Sequence, residues 1–253
     1  MKDNRIVSAL IMALLAVTAA NSFAAAPIQQ SAAVAARPVP RTPDGKPDFS
    51  GMWMLASVAG FRNEPPPYQP WAAAKHKEFR NRLNIDDPMG RCLLIGVPRI
   101  TTMPMAIKIV QQPNEFVFLY EAFRGIRVVP TDGRGHPDDL EPGFLGDSVG
   151  RWEGDTLVVD VTGFNGRTWI AFGASHHTDA LHVTERYTRT DYETILYEVT
   201  MEDSKAFTKP WTVRSTIKFH PEERIREYEC IDNNQEPERF EELQKTDPIF
   251  NKK

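Results

Sequence analysis

The chain has 253 residues, of which 41% are hydrophobic and 25% are charged. These values are typical of a soluble globular protein and exclude a disordered chain, and the length suffices for one large all-β domain or two small ones. The formal net charge of −4 provides no basic surface for nucleic acid or anionic lipid, so we expect neither as a partner.

Residues 1–24 have the pattern of a secretory signal peptide. Lys2 and Arg5 form a basic start, an apolar run follows at residues 6–17, and small residues place the cleavage after Ala24 or Ala26. No later stretch reaches the roughly 18 apolar residues that a membrane-spanning helix requires. We therefore predict a periplasmic or secreted protein without an integral membrane span.

Three further regions follow the signal peptide. Residues 25–47 are rich in Ala and Pro, which favours an extended, solvated leader. Residues 48–234 are predicted to form a single β-barrel domain, and residues 235–253 a charged tail that can hold a short helix.

The pattern within the domain is that of short strands separated by turns. A G-x-W tripeptide ending at Trp53 opens the first strand, and Pro70 begins a predicted surface helix over residues 70–83. Further strands are predicted at residues 105–111, 115–122, 125–130, 148–152, 157–162, 181–189, 194–201, 211–219 and 225–231. This spacing predicts an all-β fold, an antiparallel meander barrel of about 8–10 strands with one or two short peripheral helices.

The clearest hairpin runs from residue 148 to residue 162, with Gly154 in its turn at a position that tolerates positive φ. Two polar loops, 131–146 and 165–180, leave its open ends and are predicted to be irregular. Because both loops start from the same end of one hairpin, we expect them on a common rim of the sheet, where functional residues often lie.

Histidines are concentrated in these two loops. With acids nearby in sequence, His136, His176 and His177 could supply a general base near neutral pH, and they are our predicted catalytic residues together with Glu185 and Arg127. Three imidazoles could also hold a metal, but their spacing matches no metal motif, and we predict no metal and no cofactor. A third interpretation is exposed loop histidines with solvated acids.

Glu185 lies on an apolar strand face, because it alternates with Leu181, Val183 and Tyr187 while His182 points the other way. A carboxylate there requires a partner. The candidates are Arg124, Arg127 and Arg151, in either a structural ion pair or a ligand-facing acid within the barrel. Glu121 allows the same two interpretations, and the predicted ligand-binding residues are Tyr120, Glu121, Trp169 and His182.

Cys92 and Cys230 are the two cysteines of the chain. In an oxidising compartment an even pair predicts one disulfide, with two buried thiols as the alternative. A structural zinc site would need more closely paired cysteines.

Several catalytic motifs are missing from the sequence. It contains no G-x-S-x-G, no phosphate-binding P-loop and no dinucleotide fingerprint, which disfavours serine-hydrolase, nucleotide and NAD chemistry. Ser148 in GDSVG lies in a strand-like run without the strand-to-helix elbow of a serine nucleophile.

The segment GDSVGRWEGDTLVVDVTGFN, with PDGKPDFSGMW and LHVTERYTRTDYETILYEVTMED, resembles a largely uncharacterised family of exported bacterial proteins. The resemblance spans roughly residues 43–234 and implies no particular catalytic residue. The G-x-W and the meander also resemble lipocalin-like, or calycin, barrels, in which the Trp closes one end of the barrel. That resemblance implies a small-molecule cavity and no specific chemistry.

Two functions remain open on the sequence. The first is an exported, cofactor-independent enzyme of lyase, hydratase, isomerase or hydrolase type, using His and carboxylate groups on a small, partly apolar substrate. The alternative is a periplasmic lipocalin-like carrier of a small hydrophobic ligand, without catalysis. The oligomeric state is not predicted.

Overall fold

A computed structural model describes residues 37–57, 66–232 and 234–248. The predicted signal peptide and the first part of the leader lie outside these residues. The described part contains strands and helices with these bounds: β1 Gly51–Ser57, α1 Pro70–Asn81, β2 Ile107–Gln112, β3 Glu115–Tyr120, β4 Ile126–Pro130, β5 Asp147–Glu153, β6 Thr156–Thr162, β7 Trp169–Ala171, β8 Ser175–His176, β9 Leu181–Arg189, β10 Thr194–Asp203, β11 Trp211–Phe219 and α2 Glu236–Thr246.

Nine of the strands form one antiparallel sheet in the order β4-β3-β2-β1-β11-β10-β9-β6-β5. Chain neighbours pair throughout this order, except that β6 pairs with β9 because β7 and β8 form a separate two-stranded ribbon. The pairing of β1 with β11 joins the two halves of the sheet and curls it into a nearly closed barrel. The predicted all-β meander barrel is therefore confirmed.

The edge strands β4 and β5 lie side by side, and the seam between them is closed by side chains. Arg127 Nε donates to Ser148 Oγ across the seam at 2.8 Å. Gly150 of β5 permits this approach, because a Cβ there would lie 2.8 Å from Thr131 Cγ2 and 3.0 Å from Val129 Cγ1.

The connection from β4 to β5 crosses the length of the barrel. It begins beside the β2–β3 turn, where Thr131 N donates to Asn114 O, and it ends beside the open end of the β5–β6 hairpin, where Gly143 N donates to Gly163 O. Nine strands in successive antiparallel pairs leave the two edge strands parallel, and parallel neighbours require such a crossover. This crossover, residues 131–146, brings His136 to the outside of the sheet.

The interior of the barrel is filled with large side chains. Trp53 is fully buried, donates from Nε1 to Phe49 O at 2.8 Å, and lies beneath the Arg189 guanidinium, whose Cζ is 4.9 Å from the indole ring. Other buried aromatic side chains of the interior are Phe116, Phe118, Tyr120, Tyr187 and Tyr197.

The described end of the leader folds against the barrel instead of extending into solvent. Arg41 makes two bonds to the carboxylate of Asp155, at 2.9 and 2.6 Å. Gln111 accepts from Phe49 N and donates to Pro47 O, at 2.7 and 3.1 Å. Residues 37–49 thereby cover the end of the barrel that carries the β2–β3 and β5–β6 turns.

Two expectations for the secondary structure are wrong. Residues 225–231 form no strand, because β11 already pairs with β10 on one side and β1 on the other, and their backbone instead contacts Glu121 and Arg124. The loop 165–180 is not irregular throughout, since it contains the β7–β8 ribbon. The surface helix is confirmed and ends at Asn81; Leu83 and Asn84 beyond it have positive φ.

Cys92 and Cys230 form a disulfide that spans 138 residues of sequence. The bond fastens the segment after β11 to the 3₁₀ turn Pro88–Arg91 before β2. Asn234 supports the junction by donating to Gly90 O at 3.1 Å. No helix in the described part of the chain is long and apolar enough to cross a membrane.

Candidate functional site

The residues predicted for the site fall into three separate groups in the fold. Arg127, Glu185 and Tyr120 lie inside the barrel, and His136 and His182 lie on its outer face. The remaining predicted residues, His176, His177 and Trp169, belong to the ribbon or its end. The two loops do meet at one rim, through the bridge between Gly143 and Phe164, but their histidines share no hydrogen-bond partner.

Inside the barrel, Glu185 pairs with Arg127, one of the three arginines that the sequence proposed. Their Oε2 and Nη2 atoms are 2.5 Å apart, and both side chains are at most 2% exposed. Tyr187 and Tyr197 donate to Glu185 Oε1 at 2.8 and 2.7 Å. Ser148 Oγ accepts from Arg127 and therefore belongs to this buried network, not to a nucleophilic elbow.

Electrostatics hold the interior network in its charged form. Burial and the Glu185 charge raise the pKa values of Tyr187 and Tyr197 well above the usual value, so both phenols keep their protons and donate. Burial alone would lower the pKa of Arg127, but the Glu185 carboxylate and the nearby phenols outweigh it, and that pKa is raised. This enclosed network is suited to holding strands together.

On the outer face, the Asp160 carboxylate bridges two imidazoles. Its Oδ1 atom lies 2.9 Å from His136 Nε2, and its Oδ2 atom lies 2.7 Å from His182 Nε2. The second ring nitrogen of His136 lies 2.5 Å from Asp147 Oδ2. We call these four residues, Asp147, His136, Asp160 and His182, the outer His–Asp cluster.

The fold assembles this cluster from three strands and the crossover. Asp147 starts β5, Asp160 lies in β6 opposite Thr184, and His182 lies in β9 opposite Glu202 of β10. On each of these strands the cluster residue alternates with interior residues, as the two-residue period of a strand requires. The crossover then places His136 over the gap between the two aspartates.

The two histidines of the cluster differ in protonation. His136 faces a carboxylate with each ring nitrogen, and carboxylates only accept, so both nitrogens are satisfied when the ring is a cation. Burial opposes this charge, but hydrogen bonds to Asp147 and Asp160 outweigh it and raise the pKa of His136. The same bonds, against the effect of burial, lower the pKa of Asp160.

His182 uses only one ring nitrogen on Asp160. A carboxylate fixes the proton of a neutral imidazole on the bonded nitrogen, here Nε2, and this leaves Nδ1 as the basic atom. Nδ1 lies 3.5 Å from Glu202 Oε2, and the His182 side chain is 38% exposed. His182 is therefore an oriented, solvent-accessible imidazole.

The ribbon histidines are buried and serve its packing. His177 donates from Nδ1 to Thr178 O at 2.7 Å and accepts at Nε2 from Thr168 Oγ1 at 2.9 Å. His176 stacks on Tyr68 with ring centroids 4.8 Å apart. Burial lowers both pKa values, which keeps both rings neutral.

Three predicted ligand-binding residues are engaged within the fold. Tyr120 shares a hydrogen bond with Thr101 at 3.1 Å in the core, and Trp169 is buried against Phe79 at 5.2 Å between ring centroids. Glu121 follows the end of β3 instead of lying within it, and it accepts from Arg226 N at 3.0 Å.

Sequence reasoning missed Asp147 and Asp160, which give the cluster its character. The alternation along β6 places Asp160 on the outer face, and the alternation along β9 does the same for His182. The missing step was the pairing of β6 with β9 across the 18 residues 163–180.

Neither a scan against protein-family models nor a search of curated proteins found a match to this chain. Among the described residues, no group of three or more His, Cys, Asp and Glu side chains is arranged to hold a metal ion.

Proposed function

We propose that the protein is an exported enzyme that performs acid–base chemistry without a cofactor, with His182 as the general base. The observation that supports this proposal is the Asp160 carboxylate between two imidazoles, which orients His182 and leaves its Nδ1 atom toward solvent. Asp160 then acts on the substrate only through His182 and is a positioning residue.

His182 fits the role of base better than His136 does. Both nitrogens of His136 are occupied by carboxylates, and its raised pKa keeps it protonated at the pH where a base must be neutral. A protonated His136 instead keeps Asp160 ionised. An ionised Asp160 stabilises the positive charge that His182 acquires when it takes a proton.

The chemistry expected of this arrangement is removal of a proton from a substrate carbon or from a water molecule. Glu202, 3.5 Å from His182 Nδ1 and half-exposed, stands where it could receive or return that proton. Lyase, hydratase, isomerase and simple hydrolase reactions all need such a pair. A small, partly apolar substrate remains our expectation.

The lipocalin-like carrier remains the alternative and has weaker support. A ligand inside the barrel would have to displace buried side chains such as Phe118, Tyr187 and Tyr197. It would also have to pass the leader at one end, or the ribbon and α1 at the other.

The proposed location outside the cytoplasm, periplasmic or secreted, draws support from the Cys92–Cys230 disulfide, since such bonds persist mainly in oxidising compartments. Membership in the family of exported bacterial proteins that share the GDSVGRWEGDTLVVD motif is likewise part of this proposal.

The test is a mass-spectrometric screen of the purified protein in D₂O. A panel of small, partly apolar esters, lactones and β-hydroxycarbonyl compounds covers hydrolysis, dehydration and isomerisation, and deuterium uptake reports proton transfer at carbon. We expect turnover by the wild-type protein and a loss of at least about 100-fold in His182→Gln and in Asp160→Asn.

His220→Gln is the matched control, because His220 is also 38% exposed and also faces one carboxylate, that of Glu222 at 3.0 Å. It should retain full turnover. Equal turnover in His182→Gln and the wild type would refute the assignment of the base. Retention of an unchanged compound by all variants would favour the carrier.

A further inference from the structure

A cleft of about 250 Å³ opens at the end of the barrel that the leader covers. Its floor is Trp152, the penultimate residue of β5, and its walls are the leader turn at residues 42–44 and the β2–β3 turn with Gln112 and Pro113. The cleft is separate from the outer His–Asp cluster, since Trp152 and Asp147 lie near opposite ends of β5.

The indole of Trp152 is held rigidly as a flat surface. Its ring packs against Phe49 and Phe116, with centroids 5.9 Å apart in both pairs. Phe49 and Phe116 are almost fully buried, whereas Trp152 is partly exposed. One side of the indole is thus anchored in the core while another part remains available to a ligand.

Polar groups surround this apolar floor in both donor and acceptor roles. Gln112 is exposed on the wall and offers an amide that can both donate and accept. Asp44 offers a carboxylate and already accepts from Thr42 Oγ1 at 2.5 Å. The neighbouring Gln111 is committed to the leader backbone, so it shapes the wall and does not itself bind.

The charges beside the cleft are balanced. Lys46 places its ammonium 5.3 Å from the centre of the Trp152 ring, and Asp44 lies two residues before it. With one cation and one anion, the cleft favours neither an anionic nor a cationic ligand.

We propose that this cleft binds one sugar unit of a neutral carbohydrate. A flat aromatic surface packs against the C–H face of a sugar ring, while amide and carboxylate groups at the rim bind its hydroxyls. The cavity admits a small ligand only, and the two prolines of its walls, Pro43 and Pro113, add apolar contact beside the indole. A carbohydrate site here would add recognition of a glycan to whatever chemistry occurs at the outer face.

The experiment is a titration of the folded protein with glucose, galactose, N-acetylglucosamine and their disaccharides. Binding is followed by tryptophan fluorescence and by saturation-transfer NMR. We expect saturable binding of at least one neutral sugar, and we expect Gln112→Ala and Asp44→Ala each to raise its Kd about tenfold, the effect of one lost hydrogen bond.

Trp152→Phe keeps an aromatic ring at the core boundary while it shortens the floor, and it should abolish the fluorescence response and weaken the NMR signal. Trp71→Phe is the matched control, since Trp71 is a half-exposed tryptophan on α1 at the other end of the barrel, and it should bind as the wild type does. The proposal is overturned if no neutral sugar binds saturably, or if Gln112→Ala and Asp44→Ala leave the affinity unchanged.

Discussion

At the scale of single residues, the ion pair of Arg127 and Glu185 shows how one charge constrains the barrel. Both side chains are almost fully enclosed, and the carboxylate also accepts two tyrosine hydroxyls. A buried pair of this kind adds little net stability over apolar residues of the same volume, but loss of one partner leaves an uncompensated charge.

Glu185→Gln should therefore lower the free energy of unfolding by about 3–5 kcal/mol, because Arg127 would keep its charge in the interior. Urea unfolding followed by circular dichroism measures this change. Arg127→Met combined with Glu185→Leu should recover most of the loss, since neither charge then remains.

Glu198→Gln provides the surface control for the same measurement. Glu198 pairs with Arg214 at 2.5 Å on the exposed face of β10 and β11, where an ion pair is worth at most about 1 kcal/mol. A loss in Glu185→Gln no larger than that in Glu198→Gln would contradict the buried-charge argument.

At the scale of elements, α1 and the ribbon β7–β8 are joined through His176. Its ring stacks on Tyr68, and Phe79 of α1 lies 5.6 Å away in an edge contact. Tyr68 donates to His176 O at 2.8 Å, so the same residue fixes both the ring and the backbone. The junction depends on a neutral imidazole, because burial lowers its pKa.

The pH dependence of this junction follows from the direction of that shift. A histidine whose folded pKa is lowered contributes stability in full above its unfolded value, near 6.5, and loses that contribution as the pH falls through the folded value. His76 and Lys75 repel a charged His176, and Asp203 attracts it, but burial is the largest effect.

We expect amide hydrogen exchange in α1 and in β7–β8 to accelerate between pH 7 and pH 5, beyond the intrinsic effect of pH on exchange. His176→Phe, which preserves an aromatic contact with Tyr68 but cannot be protonated, should remove the additional acceleration. The same pH response in His176→Phe would show that another group is responsible.

The elements also show what a sequence can and cannot predict here. The β5–β6 hairpin and α1 were predictable because alternation, a turn glycine and an N-terminal proline are local signals. The outer His–Asp cluster was not predictable, because it depends on β6 pairing with β9 and on a crossover that carries His136 back along the barrel. Residues 225–231 have a strand-like pattern, but no free strand edge remains for them beside β11.

At the scale of the whole molecule, the chain is closed by the disulfide between Cys92 and Cys230. The bond links a turn that precedes β2 with a segment that follows β11, and most of the barrel lies between them in sequence. Such a cross-link restricts the unfolded chain far more than the folded one.

Cys92→Ser combined with Cys230→Ser should lower the free energy of unfolding by about 2–4 kcal/mol while the far-ultraviolet circular dichroism stays unchanged. Reduction of the wild-type protein should give the same unfolding midpoint as the double variant. A midpoint equal to that of the oxidised wild type would show that the unfolded state is not restricted as this argument requires.

The crossover 131–146 has a consequence for limited proteolysis. Gly133 and Gly135 face open space on either side of the exposed Arg134, and β4 and β5 share no ladder that a break there would interrupt. Cleavage after Arg134 would therefore yield two fragments that each retain whole strands. One fragment carries Cys92 and the other carries Cys230, so the nicked protein would migrate as a single species until the disulfide is reduced.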